Sequence, residues 1–181
     1  VQSVVGSQAC EIASMMKEEG YKVYYLYIMA SSEADYGILG DIYSDVFTFY
    51  TVNGIIDFIE NSDFDIVHSL NASDILTNIV LETSKSVVFN MHDVNSVKEN
   101  DSIEKLTLNY IANMQADGNV YASWDDVEIA KKRYGINGKD VLVLENEIWN
   151  QKKINNPCLM QTYRRELADF YERVMKREIF R

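Results

Sequence analysis

Proline is nearly missing from this chain. Pro157 is the only one in 181 residues, which excludes collagen-like and proline-rich disordered classes. Cysteine is scarce as well. Cys10 and Cys158 are the only two, and they lie too far apart in sequence to form a metal-ligand spacing. Two free thiols in a reducing cytoplasm is the expected state, with no metal. Positive charge is outweighed, with 17 Lys+Arg against 28 Asp+Glu, a formal net charge of -11 and a pI near 4.6. That balance argues against nucleic acid as a partner, because a phosphate-backbone binder needs a basic face. It also argues against docking to anionic lipid. No apolar run approaches the roughly 20 residues of a membrane span, and no cationic-then-apolar leader is expected. The Walker pattern, the serine nucleophile elbow, C-x-x-C and H-E-x-x-H are all lacking, so those chemistries have no motif to stand on.

What remains is 47% apolar and 25% charged residues, a balance that builds a buried core. Short β-branched or aromatic runs alternate with amphipathic stretches. Ala9, Ile12, Ala13 and Met16 recur at helical spacing, and Gly20 supplies the stop. Lys22–Met29 reads as a strand, followed by a loop over 30–45, a short strand Val46–Tyr50 and a short helix Val52–Glu60. Asp65–Ser69 is the next strand, and Asn71 caps the helix after it. Ser86–Met91 is a strand. Asp101 with Glu104 resembles a capping pair, opening a helix whose inner face is Ile103, Leu106, Tyr110, Ile111 and Met114. Asn119–Ser123 is a strand, Ser123 caps a helix that Gly135 stops, and Val141–Glu145 is the last strand. Beyond Pro157 a long helix from about Met160 to Ile179 turns Tyr163, Leu167, Phe170, Tyr171 and Val174 inward.

Such alternation with short connections predicts an α/β fold: a doubly wound, mostly parallel Rossmann-like sheet with helices on both faces over residues 1–150, then a linker and an appended C-terminal helix over 151–181. Ligands in such sheets bind beyond the carboxyl ends of the strands. The residues there are Ala30–Ser32, His68–Asn71, Asn90–Asp93, Ser123–Trp124 and Glu145–Asn146. Both histidines of the chain, His68 and His92, fall on that edge. A strand-end histidine is either a structural hydrogen-bonding group or a proton carrier. His92 beside Asp93 is the more suggestive pair, since a carboxylate fixes an imidazole tautomer and raises its basicity. Gly6 and Ser7 form either a simple turn before the first helix or a backbone cradle for an anion. Asp125, Asp126 and Glu128 complement a helix dipole. Tyr24, Tyr25 and Tyr27 read as sheet packing. Trp124 and Trp149 follow strands and either line a cleft or pack in the core.

Taken in order, several segments resemble the N-terminal domain of GT-B glycosyltransferases, glycosyltransferase family four in particular. GSQACEIASMMKEEGYKVYYLYI (6–28) is similar to that family's first loop, helix and second strand, with the strand before Gly6 missing or reduced to Gln2–Val5. DFDIVHSLNASD (63–74) resembles its Asp-aliphatic-aliphatic-His strand, and VVFNMHDV (87–94) its apolar strand ending in His-Asp. NVYASWDDVEIAKKRYGI (119–136) resembles the strand, serine, helix and Tyr-Gly segment. VLVLENEIW (141–149) resembles the strand leading to an Asn-containing turn. YRRELADFYERVMKREI (163–179) resembles the helix that returns to the N-terminal domain in whole enzymes.

The resemblance implies the acceptor-binding domain of a retaining, cytoplasmic transferase. It would use a sugar nucleotide as substrate, no cofactor or metal, and a carbohydrate, lipid or protein-linked acceptor. His92 and Asp93 would be catalytic and Gly6 and Ser7 would lie near the donor phosphates. His68, Ser69, Asn71 and Asn90 would bind acceptor, and Trp124, Glu145 and Asn146 would rim the cleft. The donor-binding Rossmann domain has no counterpart in these residues, so the chain by itself is expected to have little transferase activity. The alternative is a non-catalytic Rossmann-like or flavodoxin-like interaction or nucleotide-binding module.

Overall fold

Helix and strand boundaries follow the local chemistry of the chain in a computed structural model that describes residues 4–28, 42–70, 74–91, 94, 101–144 and 157–177. The elements run α1 (Val4–Glu18), β1 (Tyr24–Ile28), β2 (Asp45–Phe49), α2 (Val52–Glu60), β3 (Ile66–Leu70), α3 (Asp74–Val80), β4 (Ser86–Met91), α4 (Ile103–Gln115), β5 (Gly118–Tyr121), α5 (Trp124–Tyr134), β6 (Asp140–Val143) and α6 (Pro157–Arg177). The fold is α/β and Rossmann-like, as its alternation predicted. The residues cluster into two compact units, Val1–Ser62 and Asp63–Arg181, and α6 is integral to the second.

In the first unit β1 and β2 pair in parallel, with Leu26 opposite Phe47. Aromatic contacts hold the pair and its helix together: Phe58 of α2 lies 4.5 Å from Phe47 and 5.2 Å from Phe49, centroid to centroid. Tyr24 and Tyr25 pack on Phe47 and Tyr43, so these two tyrosines serve the core as expected. Thr51 caps α2, its hydroxyl accepting from the Gly54 amide. α1 buries Ala9, Ile12, Ala13, Met15 and Met16, and Gly20 ends it at φ 90°, a conformation that favours glycine.

In the second unit four strands lie in chain order, β3-β4-β5-β6, all parallel. Side chains alternate across a strand, so rows of paired residues share a face. One face carries Ser69, Phe89, Asn119 and Val141 towards α3, α4 and α5. There Ser69 bonds Thr77 of α3, and Phe89, Met91 and Tyr121 join Ala112, Val127, Ala130 and Tyr134 in the main core. The opposite row is His68, Val88, Gly118 and Asp140. A single turn of α6 engages three of these four: Tyr171 meets His68, Phe170 and Val174 close over Gly118, and Arg173 pairs with Asp140 at 3.6 Å. The result is three layers with the sheet in the middle, as continuous burial along β4 requires.

α5 shows how local signals set boundaries. Ser123 is its N-cap, accepting from the Asp126 amide at 3.1 Å and donating to the Asp126 carboxylate at 2.8 Å. Gly135 closes it at φ 70°. Ser123→Ala is expected to lower stability by about 1 kcal/mol, read as a lowered urea midpoint at unchanged m; no shift would show that the cap is dispensable.

α4 departs from expectation. Its cap is Ser102, accepting from the Lys105 amide. Asp101 instead forms an ion pair with Lys105. Ile103 and Tyr110, expected inside, are 83% and 49% exposed, and the buried positions are Asn109, Ala112 and Asn113. Asn113 accepts from the Tyr121 hydroxyl at 2.7 Å and donates to the Asn109 carbonyl at 2.8 Å. Asn119 donates to the Asn113 carbonyl at 3.2 Å. Hydrogen-bonded amides thus occupy the inner face where an apolar stripe was expected, since buried polar groups are tolerated when paired.

Candidate functional site

Because β3 to β6 are parallel, Leu70, Met91, Tyr121 and Val143 end at one edge of the sheet. That is the edge where α/β folds take ligands. The segments following these strands carry most of the predicted site. His92, Asp93, Asn71, Glu145 and Asn146 lie outside the described residues, as does Trp149.

Gly6 and Ser7 were read as a turn or loop ahead of the first helix. They lie inside α1, which already starts at Val4. Val4 and Val5 are therefore helical and do not end a strand. The first turn of a helix has no amide bonded four residues back, so glycine disrupts little there.

His68 and Ser69, adjacent in β3, face opposite sides of the sheet. Ser69 is buried, and its hydroxyl lies 2.6 Å from that of Thr77. His68 is partly buried, with Nδ1 2.5 Å from the Tyr171 hydroxyl. The Tyr171 ring stands edge-on to the imidazole at 5.7 Å. Nε2 of His68 is shut from solvent with no partner among the described residues. Burial pushes the imidazole pKa down to about 3, so His68 is neutral at pH 7 and packed under α6. The geometry makes it a fold-locking histidine between strand and helix. Its partner is 103 residues away, and nothing near His68 in sequence signals it. Asn90 is buried on the same face, in the row with Leu70, Val120 and Leu142.

Trp124 differs from these. It is the first residue of α5, directly after the Ser123 cap, and it is 64% exposed. The core alternative for this tryptophan is thereby removed. Asp125 beside it is also exposed. Further along α5, Lys131 pairs with Glu128 at 2.7 Å, and Arg133 donates to the Val94 carbonyl at 2.9 Å.

At the opposite end of the sheet a groove of about 730 Å³ is lined in part by Lys85, Met114, Gln115, Asp117 and Lys139. Its polar groups hold the fold. The Asp117 carboxylate accepts from the Val87 amide at 2.9 Å while the Asp117 amide donates to the Val87 carbonyl at 2.8 Å. Lys139 donates to the Ala116 carbonyl at the end of α4. Among the described residues no group of three His, Cys, Asp or Glu side chains is placed to hold a metal ion, and no helix is long and apolar enough to cross a membrane. Compared with protein-family models, curated proteins and solved structures, the chain matches none.

Proposed function

We propose that this chain is the acceptor-binding half of a retaining, GT-B-like glycosyltransferase that transfers a sugar from a sugar nucleotide in the cytoplasm. The observation that carries the reading is the order of the strands. Four segments that resemble family motifs form four neighbouring parallel strands in motif order. Parallel pairing sends the residues after each of them to one edge. In this reading His92 and Asp93 stand at the floor of the cleft, Asn71 and Asn90 on the acceptor side, and Glu145 and Asn146 on its rim. His68 and Ser69 hold the strand beneath the site, because His68 Nδ1 and the Ser69 hydroxyl are engaged by Tyr171 and Thr77 and His68 Nε2 is shut from solvent. The packing of α6 on the sheet fits the returning helix of such enzymes.

The test is the complete protein assayed with uridine and guanosine diphosphate sugars. Turnover is expected, with His92→Ala lowering kcat by roughly 100-fold or more, the scale of a general acid–base contribution, at an unchanged melting temperature. The isolated 181-residue chain is expected to be nearly inactive. Unchanged turnover in His92→Ala would sink the catalytic assignment and favour a non-catalytic Rossmann-like module. Clear turnover by the isolated chain would sink the half-enzyme reading.

A further inference from the structure

We infer that Asn137 is a self-modification site, where the chain converts an asparagine into aspartate and isoaspartate with no enzyme. The inference goes beyond the transferase reading and is independent of it.

The chain holds two Asn-Gly steps, Asn53-Gly54 and Asn137-Gly138. Such a step is chemically weak, because glycine has no side chain to shield its backbone nitrogen. Once deprotonated, the Gly138 nitrogen attacks Cγ of Asn137. The bond from nitrogen to Cγ forms, the bond from Cγ to Nδ2 breaks, and ammonia leaves with a proton from solvent. The product is a five-membered imide, and nothing is oxidised or reduced. Water then opens the ring. Addition at Cγ gives aspartate, and addition at the main-chain carbonyl carbon gives isoaspartate, whose backbone runs on through Cβ and Cγ.

The fold treats the two steps differently. Asn53 and Gly54 lie in the first turn of α2, where the Gly54 amide donates to the Thr51 hydroxyl at 3.1 Å. A Cβ on Gly54 would stand 2.9 Å from that hydroxyl, so the surroundings of this glycine are filled. Ile55, the next residue, is buried. Ring closure there has to unwind a capped and anchored helical turn.

Asn137 and Gly138 instead lie in the link between α5 and β6, and both are exposed. Nothing stands within 4 Å of the place where a Gly138 Cβ would be. Ile136 to Lys139 form a β-turn, with the Lys139 amide donating to the Ile136 carbonyl at 3.3 Å. Gly138 has φ 78°, and no non-glycine residue among those described has a positive φ. That is the pattern of a type II turn, whose third position calls for glycine. The turn thus requires the residue that makes Asn137 labile. Closing the ring needs rotation about ψ of Asn137. The hydrogen bond that resists this rotation is long, and neither a helix nor a strand ladder spans it, so the turn opens at small cost.

The effect reaches the strand that follows. Lys139 donates to the Ala116 carbonyl at 2.8 Å, and Asp140 pairs with Gly118 in the sheet and with Arg173 of α6. Isoaspartate adds one main-chain atom between buried Ile136 and these anchors, which loosens the seating of β6.

The experiment incubates the full chain at neutral and at mildly alkaline pH, native and in concentrated urea. Peptide mapping by mass spectrometry reads the replacement of NH2 by OH at each step, and fragmentation separates isoaspartate from aspartate. In the native protein Asn137 is expected to convert at least about tenfold faster than Asn53, which reacts only when the α2 cap has opened. In urea the two rates should converge, and both should rise with hydroxide. Asn137→Gln, which needs a less favourable six-membered ring, should stay unmodified. Its urea midpoint should hold through the incubation while that of the parent falls. An Asn137 that stays intact, or equal rates at the two steps in the native protein, would overturn the site. A parent whose midpoint holds while Asn137 converts would overturn its coupling to β6.

Discussion

Phe170→Ala is expected to cost about 3–5 kcal/mol of folding stability, the range for emptying a fully buried aromatic site. Phe170 is completely buried on α6, and its ring lies over Gly118 of β5. A Cβ at position 118 would stand 2.6 Å from Phe170 Cζ and 2.7 Å from Val174 Cγ2. Gly118 has no positive φ, so its backbone suits alanine, and the obstacle is the helix above it. Gly118→Ala is accordingly expected to cost about 1–3 kcal/mol by overpacking, against a background gain of about 0.4–1 kcal/mol from a stiffer unfolded chain. The two substitutions should couple. Once the ring is gone, Gly118→Ala should cost about 1 kcal/mol less, because residues in direct contact are not additive. Urea unfolding of the four proteins of the cycle measures this, and strict additivity would mean that α6 does not rest on β5 as described.

The second large effect is on acid stability, and it runs through His68. Its ordinary pKa of 6.5 is lowered to about 3 by burial. The unfolded chain therefore takes up a proton between pH 6.5 and 3 that the folded chain refuses. Stability from this group is complete above pH 6.5 and is lost as the pH falls towards 3, at up to about 1.4 kcal/mol per pH unit. His68→Gln removes the titration. Between pH 7 and pH 4.5 the variant is expected to lose about 2–3 kcal/mol less than the parent. The many carboxylates titrate alike in both proteins and cancel in the comparison. Superimposable acid curves would show that the imidazole charges freely in the folded state.

These two sites mark where reading the chain stops being local. α5 was legible at both ends because its signals are its own: a serine whose side chain reaches an amide three residues on, and a glycine in the left-handed region. β4 was legible because Val87, Val88, Phe89 and Met91 put apolar side chains on both of its faces, the mark of a strand covered on both sides. The inner face of α6 was legible from Leu167, Phe170, Tyr171 and Val174 at helical spacing, all buried. α4 was not. Asn113 belongs inside because Tyr121, on a separate strand, donates to its side-chain oxygen, and no periodicity encodes that. Likewise a histidine at a strand end looks the same whether it faces a ligand or a tyrosine 103 residues later. Trp124 was read from sequence as either lining a cleft or packing in the core, and its exposure removes the core reading. The start of α1 was misread because Gly6 and Ser7 look like a turn ahead of a helix, although the helix takes them in.

The row His68, Val88, Gly118 and Asp140 has a consequence for the order of assembly. The contacts that α6 makes with it through residues 170–174 come from a segment that follows each of the described strands. A ribosome-bound chain therefore lacks the cover that α6 gives this row until that turn emerges. Closures over such sequence separations form late and slowly, and an exposed sheet face invites association with other chains in the interval. Docking of α6 is thus also the step that ends this exposure, and weakening it should reduce the yield of correctly assembled protein before it alters anything about the finished fold.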